Sequence, residues 1–166
     1  MVRSDGTADA VDARLLMALT AQPRATTAAL AEFLGLSRNT VQARLSRLER
    51  RGALGSFERR IEPEVLGCPL LAFVTTSVTQ RKLDAVAAAL ARIPEVVEVH
   101  GLTGETDLLV RVVARDADDL YRIAGRILDS DGVERTATAL VMRNMVEYRL
   151  TPLLQRIADQ QRAADQ

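Results

Sequence analysis

The stretch AEFLGLSRNTVQARLSRLERRG, from Ala31 to Gly52, holds the end of one helix, a tight turn and a whole second helix. Gly35 is a turn residue that tolerates positive φ. Ser37 then offers a hydroxyl to the amide groups that the first turn of a helix leaves unbonded, and Gly52 marks that helix's end. With about 100° between successive residues, Val41, Leu45 and Leu48 form one apolar stripe. Asn39, Gln42, Ala43, Ser46, Arg47 and Arg50 fall on the opposite half, with Arg44 and Arg51 at its borders. Two helices joined by a short glycine-containing turn make a helix-turn-helix. The outer half has the chemistry for reading DNA: Asn and Gln pair bidentately with adenine, and Arg with guanine. Small Ala43 and Ser46 allow close approach to a groove floor, and flanking arginines suit phosphates. The same pattern also describes an ordinary solvent-facing helix, but that description leaves the Gly35 turn, the Ser37 cap and the basic pair Arg59 and Arg60 unconnected. The expected DNA-contacting set is therefore Ser37, Arg38, Asn39, Gln42, Arg44, Arg47, Arg50, Arg51, Arg59 and Arg60.

Upstream, residues 1–8 read as a frayed tail. Asp9 to about Thr20 follows as a first helix with the stripe Val11, Leu15, Leu16 and Leu19, and Gln22-Pro23 ends it. Thr26 caps a second helix that turns Leu30, Ala31 and Leu34 inward. Downstream, Ala53–Arg60 reads as a short hairpin around Gly55, a candidate wing, and residues 61–68 as a linker. Leu70–Val78 is a β-rich run. Leu83, Val86 and Leu90 mark a helix. Val96–Leu102 and Asp107–Ala114 are strands joined by the turn Thr103–Thr106. Asp116 caps a helix with Leu120, Ile123, Ile127 and Leu128 inward, and Val133–Tyr148 reads as one long closing strand. The order β-α-β-β-α-β is that of a ferredoxin-like domain. The fold class is thus α+β: a winged helix-turn-helix over 1–60, the linker, the ferredoxin-like domain over 69–150, and a tail over 151–166. In that tail Leu153, Leu154 and Ile157 predict a short helix that packs on a partner.

Composition narrows the function. The chain has 166 residues and is 48% hydrophobic, which is enough to bury packed cores. It contains no apolar run of about 18 residues, and its single cysteine, Cys68, fits a reducing cytoplasm. One His and one Cys are too few for a Cys/His zinc site, and no metal or cofactor is expected. The net charge of zero divides into +4 over residues 1–60 and −4 over 61–166. That asymmetry points to a nucleic-acid face on the first part of the chain.

Ala31–Gly52 resembles the helix-turn-helix of the Lrp/AsnC (leucine-responsive and asparagine regulator) family nearly throughout. Ser37, Val41, Arg44, Leu45, Leu48, Glu49 and Gly52 stand at its signature positions, and Asp12 and Arg24 match residues of its first helix and second-helix entry. EPEVLG (Glu62–Gly67) is similar to the family's hinge, and EVVEVHGLTGETDLLV (Glu95–Val110) to its strand–turn–strand with a T-G-x-x-D turn. The resemblance spans about residues 9–150. It implies a transcriptional regulator that binds double-stranded DNA. It also implies dimerisation through the ferredoxin-like domains, with tetramers or octamers beyond that, and an effector, usually an amino acid, held between sensor domains. Carried over by position, the effector site comprises Thr103, Gly104, Thr106 and Asp107, with Thr136 and Thr138 on the last strand. Asp107 would accept hydrogen bonds from an ammonium group, and the backbone at Gly104 would hold a carboxylate. The same residues also suit a plain hairpin turn. Many relatives carry an aromatic where this chain has Thr106.

Two other classes are compatible with the modules. One is a nucleoid-organising protein without an effector. The other is a sirohaem-decarboxylase-like enzyme, for which His100 would be the active-site residue; Gly101, Leu102 and Thr103 follow it, where such enzymes carry Tyr and Arg. A lone strand histidine is more often a surface residue, so no catalytic residue is expected.

Overall fold

The computed structural model describes residues 7–164, so most of the tail expected over 1–8 lies outside the described residues. The chain divides into two compact units, one made of residues 1–56 with 146–166, the other of 57–145.

The first unit is helical. Helix α1 (Ala10–Ala21) starts at Asp9, whose carboxylate accepts the Asp12 amide at 2.8 Å while the Asp12 side chain faces the Asp9 amide in return. Helix α2 (Thr27–Leu34) is capped by the Thr26 hydroxyl and ended by Gly35 at φ 67°, where the Leu36 amide returns to the Ala31 carbonyl at 2.9 Å. Helix α3 (Arg38–Arg50) is capped by Ser37. Beyond its end, Gly52 and Ala53 donate to Glu49 and Leu48, the paired bonds that close helices with a left-handed glycine. Leu15 and Ala18 of α1, Leu30, Ala31 and Leu34 of α2, and Val41 and Leu48 of α3 form one buried cluster. Each fully buried Leu or Val there contributes about 1.5–3 kcal/mol. In the α1 stripe Val11, Leu16 and Leu19 are only partly buried, and the fully covered positions are Asp12, Ala13, Leu15 and Ala18.

Helix α6 (Thr151–Ala164) completes this unit by packing on α1. Ala158 of α6 is 3% exposed. The tail helix therefore docks on its own chain, a contact that the sequence reading did not include. Leu153 of α6 is 47% exposed.

The second unit is a four-stranded antiparallel sheet in the order β2-β3-β1-β4, from β1 (Leu70–Val78), β2 (Val96–Gly101), β3 (Leu108–Ala114) and β4 (Val133–Leu140). Val74 stands opposite Val110 on one side and Thr138 on the other. Helices α4 (Leu83–Leu90) and α5 (Ala117–Leu128) cover one face, where Ala72, Val74 and Val78 meet Val86, Leu90, Ile123 and Ile127. Strict alternation in β1 leaves Leu71, Phe73, Thr75 and Ser77 half-exposed on the other face.

Three sequence expectations fail here. Residues 53–60 form no hairpin, so the helix-turn-helix has no wing; Phe57–Arg60 is a 3-10 turn. Leu54 and Phe57 are the only large apolar side chains in that segment, too few to bury a face of a two-stranded ribbon. The closing strand stops at Leu140 rather than Tyr148. Its partner β1 begins at Leu70, after Pro69, and the last bridge is the Val141 amide to the Leu71 carbonyl at 2.9 Å. Beyond that point β4 has nothing to pair with. Leu128, at the end of α5, is 46% exposed.

Candidate nucleic-acid interface and effector turn

Helix α3 buries Val41 at 0% and Leu48 at 3% and turns its other side to solvent. Arg38, Asn39, Thr40, Gln42, Ala43, Glu49 and Arg50 are exposed. Arg38, Asn39 and Arg50 show no side-chain hydrogen bond or ion pair among the described residues. Gln42 accepts the Thr27 hydroxyl at 3.3 Å and lies 3.5 Å from Ser46, so α2 steadies its amide. Ser37 is committed to the cap, with its Oγ 3.1 Å from the Thr40 amide and 2.8 Å from the Thr40 hydroxyl. Arg51 is the exposed capping residue at the far end.

Arg44 and Arg47 do not share that freedom. Arg44 donates to both oxygens of Asp9, at 2.9 and 2.7 Å, and to Asp12 at 2.7 Å. Arg47 donates to the second Asp12 oxygen and lies 3.7 Å from Asp9. The Asp12 side chain is only 1% exposed, whereas the two arginines are 25% and 36% exposed. A carboxylate taken out of water needs such partners. Partial burial works against ionisation of Asp9, but the Arg44 hydrogen bond, the Asp12 amide and both guanidinium charges outweigh it, so its carboxyl lies below the usual range. The wheel placed Arg47 on the outer half of α3, yet its side chain is long enough to fold back to α1. A shallow concavity remains on this flank, lined by Asn39, Thr40, Ala43, Arg44 and Arg47. Asp9 and Asp12 were not among the expected site residues. The available signal was two acidic residues three apart, the second among the apolar residues of α1.

Arg59 and Arg60 belong to the other unit. With no wing to carry it, Arg59 donates to Glu98 of β2 at 2.9 Å, and Arg60 is exposed in the same 3-10 turn. Glu98 also accepts Arg111 of β3 at 3.3 Å, and His100 lies 3.8 Å away on the same face. Burial opposes ionisation of Glu98, and Arg111, Arg59 and His100 overcome it, so its carboxyl is held low.

The turn after β2 leaves Thr103, Gly104 and Glu105 exposed, with Gly104 at φ 128°. Thr106 and Asp107 are half-buried. Asp107 is already engaged: its carboxylate accepts the Val78 amide at 2.8 Å and the Gln80 side chain at 2.6 Å. Its amide donates to the Thr76 carbonyl at 3.0 Å. On the other side of β1, Thr136 stands opposite Thr76, and Thr138 opposite Val74. Asp107 and Thr136 thus flank one residue of β1, two strand spacings or about 10 Å apart. A carboxylate oxygen has a second lone pair to offer, so the engaged Asp107 retains acceptor capacity. No helix among the described residues is long and apolar enough to cross a membrane.

Residues 9–49 match the model of the AsnC-type helix-turn-helix domain, and residues 71–151 that of the Lrp/AsnC ligand binding domain. The chain is 30% identical over 145 residues to the HTH-type transcriptional regulator FL11 of Pyrococcus horikoshii, covering 87% of this chain and 96% of that one. It is 31% identical to the HTH-type transcriptional regulator AldR of Mycolicibacterium smegmatis, covering 82% of each. Among solved structures it resembles the feast or famine regulatory protein of M. tuberculosis complexed with L-methionine. There the identity is 33% and the TM-score 0.75, over 86% of this chain and 97% of that one. A transcriptional regulator of Neisseria meningitidis, also solved with L-Met, has a TM-score of 0.75 at 27% identity, over 85% and 94%.

Proposed function

We propose, starting from a chain that belongs to the Lrp/AsnC family of DNA-binding transcriptional regulators, that it reads operator DNA as a homodimer and responds to an amino acid or a related small molecule. The observation that carries the DNA part is α3. It is capped by Ser37, seated by Val41 and Leu48, and faces outward with Arg38, Asn39, Gln42 and Arg50. Asn39 and Gln42 have the donor–acceptor pairs that read adenine, while Arg38 and Arg50 at the two ends of the helix suit phosphate or guanine. Arg44 and Arg47 fix the roll of α3 on α1 and offer only their exposed parts to DNA. Arg51 adds charge at the helix end.

Dimerisation would use the uncovered sheet face, where Leu71, Phe73 and Leu109 lie half-exposed, and two copies would present two recognition helices to a pseudo-palindromic site. Tetramers or octamers of such dimers follow the family pattern. The small molecule would sit at the exposed turn of Thr103 and Gly104, beside Thr106 and Asp107, with Thr136 and Thr138 across β1. The L-methionine complexes of two similar proteins support an amino-acid ligand. A ligand that binds one arrangement of the sensor units better than another shifts DNA affinity by that difference. The cytoplasm is the compartment for this work.

A second reading, a DNA organiser without an effector, is favoured by one observation: both Asp107 oxygens already have partners in Val78 and Gln80. Binding of the purified protein to its own upstream DNA at fixed salt, with and without each of the twenty amino acids, separates the two. A shift caused by one amino acid supports the effector reading. Sequence-specific binding that none of them alters supports the organiser.

A further inference from the structure

We propose that Asp9 and Asp12 stand in for DNA phosphates in the free protein, competing with the duplex for Arg44 and Arg47 and so lowering affinity for DNA of any sequence. The proposal rests on the DNA-reading role of α3. Two guanidinium and two carboxylate groups meet on one flank of that helix, so their charges cancel. Without the carboxylates the flank would present two positive charges beside the exposed Asn39 and Thr40. Sequence-independent attraction to DNA comes almost wholly from such charges, because each phosphate they neutralise releases condensed counterions.

The carboxylates engage the arginines only in part. Arg44 makes its three bonds to them through Nη1, and Arg47 bonds Asp12 through Nη2. A guanidinium carries five N–H donors in a fork that matches phosphate as well as carboxylate. Arg47 Nε is buried without an acceptor. Both arginines line the shallow concavity with Asn39, Thr40 and Ala43, and both side chains are partly exposed. A phosphate that reaches this concavity therefore meets donors with capacity left and a rival anion beside them. The two rivals differ. Asp12 is 1% exposed, and parting it from both arginines would leave a charge out of water. Asp9 is 41% exposed at the start of α1, where its charge can be removed without opening the helix contact.

Asp9→Asn removes one negative charge and keeps an oxygen for the α1 cap, and Asp9→Ser does the same with a shorter side chain. In the full-length protein each is expected to tighten binding to random duplex DNA about fivefold at about 0.15 M salt and to steepen the salt dependence by about one. Affinity for the upstream DNA is expected to rise by the same factor, since phosphate contacts carry no sequence information. Adding Arg47→Gln to Asp9→Asn restores the local charge balance, and affinity and slope are expected to return to the wild-type values. Unchanged or weaker binding to random DNA in both single variants would overturn the proposal and leave the carboxylates with the seating of α3 on α1 alone. Binding by the double variant as tight as that of Asp9→Asn would overturn it as well. Failure of the DNA reading is a separate result: the wild type then binds upstream and random DNA equally, while Asp9→Asn still reports the charge effect on both. A wild type that binds no DNA of either kind would overturn the two together.

Discussion

Arg47, drawn onto the outer half of α3 by its helical phase, hydrogen-bonds a carboxylate of α1 that is only 1% exposed, that of Asp12. Removing that carboxylate leaves Arg44 and Arg47 with Asp9 alone, at 2.7 and 3.7 Å, and breaking a buried pair from one side costs several kcal/mol. Because Arg44 and Arg47 are partly exposed, water relieves some of the loss. Asp12→Ala is expected to destabilise the protein by about 2–3 kcal/mol in urea unfolding. A change below about 0.5 kcal/mol, the range of ordinary surface substitutions, would show that the cluster is idle.

The outward side chains of α3 are expected to divide by role. Asn39→Ala is expected to reduce discrimination between operator and random DNA by about 1–3 kcal/mol. Arg50→Ala is expected to weaken both kinds of DNA alike and lower the salt slope by about one. Competition binding at several salt concentrations reads both. Equal losses on both DNAs for Asn39→Ala would remove it from base reading.

Asp107 ties the start of β3 to the end of β1 through Val78 and Gln80. Asp107→Asn keeps the size but weakens both bonds and the negative charge. We expect stability to fall by about 1–2 kcal/mol and any amino-acid effect on DNA binding to disappear. A retained effect at reduced stability would leave Asp107 with the structural task alone.

Phe73 lies at the centre of the uncovered sheet face, opposite Arg111 and Ala139. Phe73→Glu is expected to convert the proposed dimer to monomer in sedimentation at micromolar concentration, with far-UV circular dichroism unchanged. A persisting dimer would place the interface elsewhere.

Acid stability has a defined sign. Hydrogen bonds from Arg115 and Arg122 hold the Asp119 carboxyl far below its usual 3.8, and Asp9 is also lowered. For depressed carboxylates the stabilisation is complete above the unfolded value and is lost as pH falls through the folded one. The urea midpoint should therefore drop from pH 5 towards pH 2, and Asp119→Asn should flatten that drop. An identical pH profile in the variant would mean that other carboxylates set it.

Local rules made much of this molecule legible. The caps Asp9, Thr26, Ser37 and Asp116, the stops Gly35 and Gly52, and the alternation in β1 all act over a few residues, and the helix and strand order follows from them. What escaped depends on distant partners. Nothing local to Val133–Tyr148 says that β1 starts too late to pair with its second half. The phase of Arg47 is a property of α3 alone, whereas its partner, Asp12, lies 35 residues earlier. Similarly, the wing was read from basic residues around Gly55, but Arg59 is held by Glu98, 39 residues away. Asp107 was singled out by resemblance, while its bonds to Val78 and Gln80 appear only once the sheet is assembled.

The placement of α6 has a consequence for biosynthesis. A ribosome delivers residues 57–145 between the first three helices and the fourth, so the sheet emerges before the DNA-binding unit can be completed. The order also governs chimeras. A graft cut once, near residue 60, carries α1 away from α6, on which it packs. Moving residues 1–56 requires moving 146–166 with them.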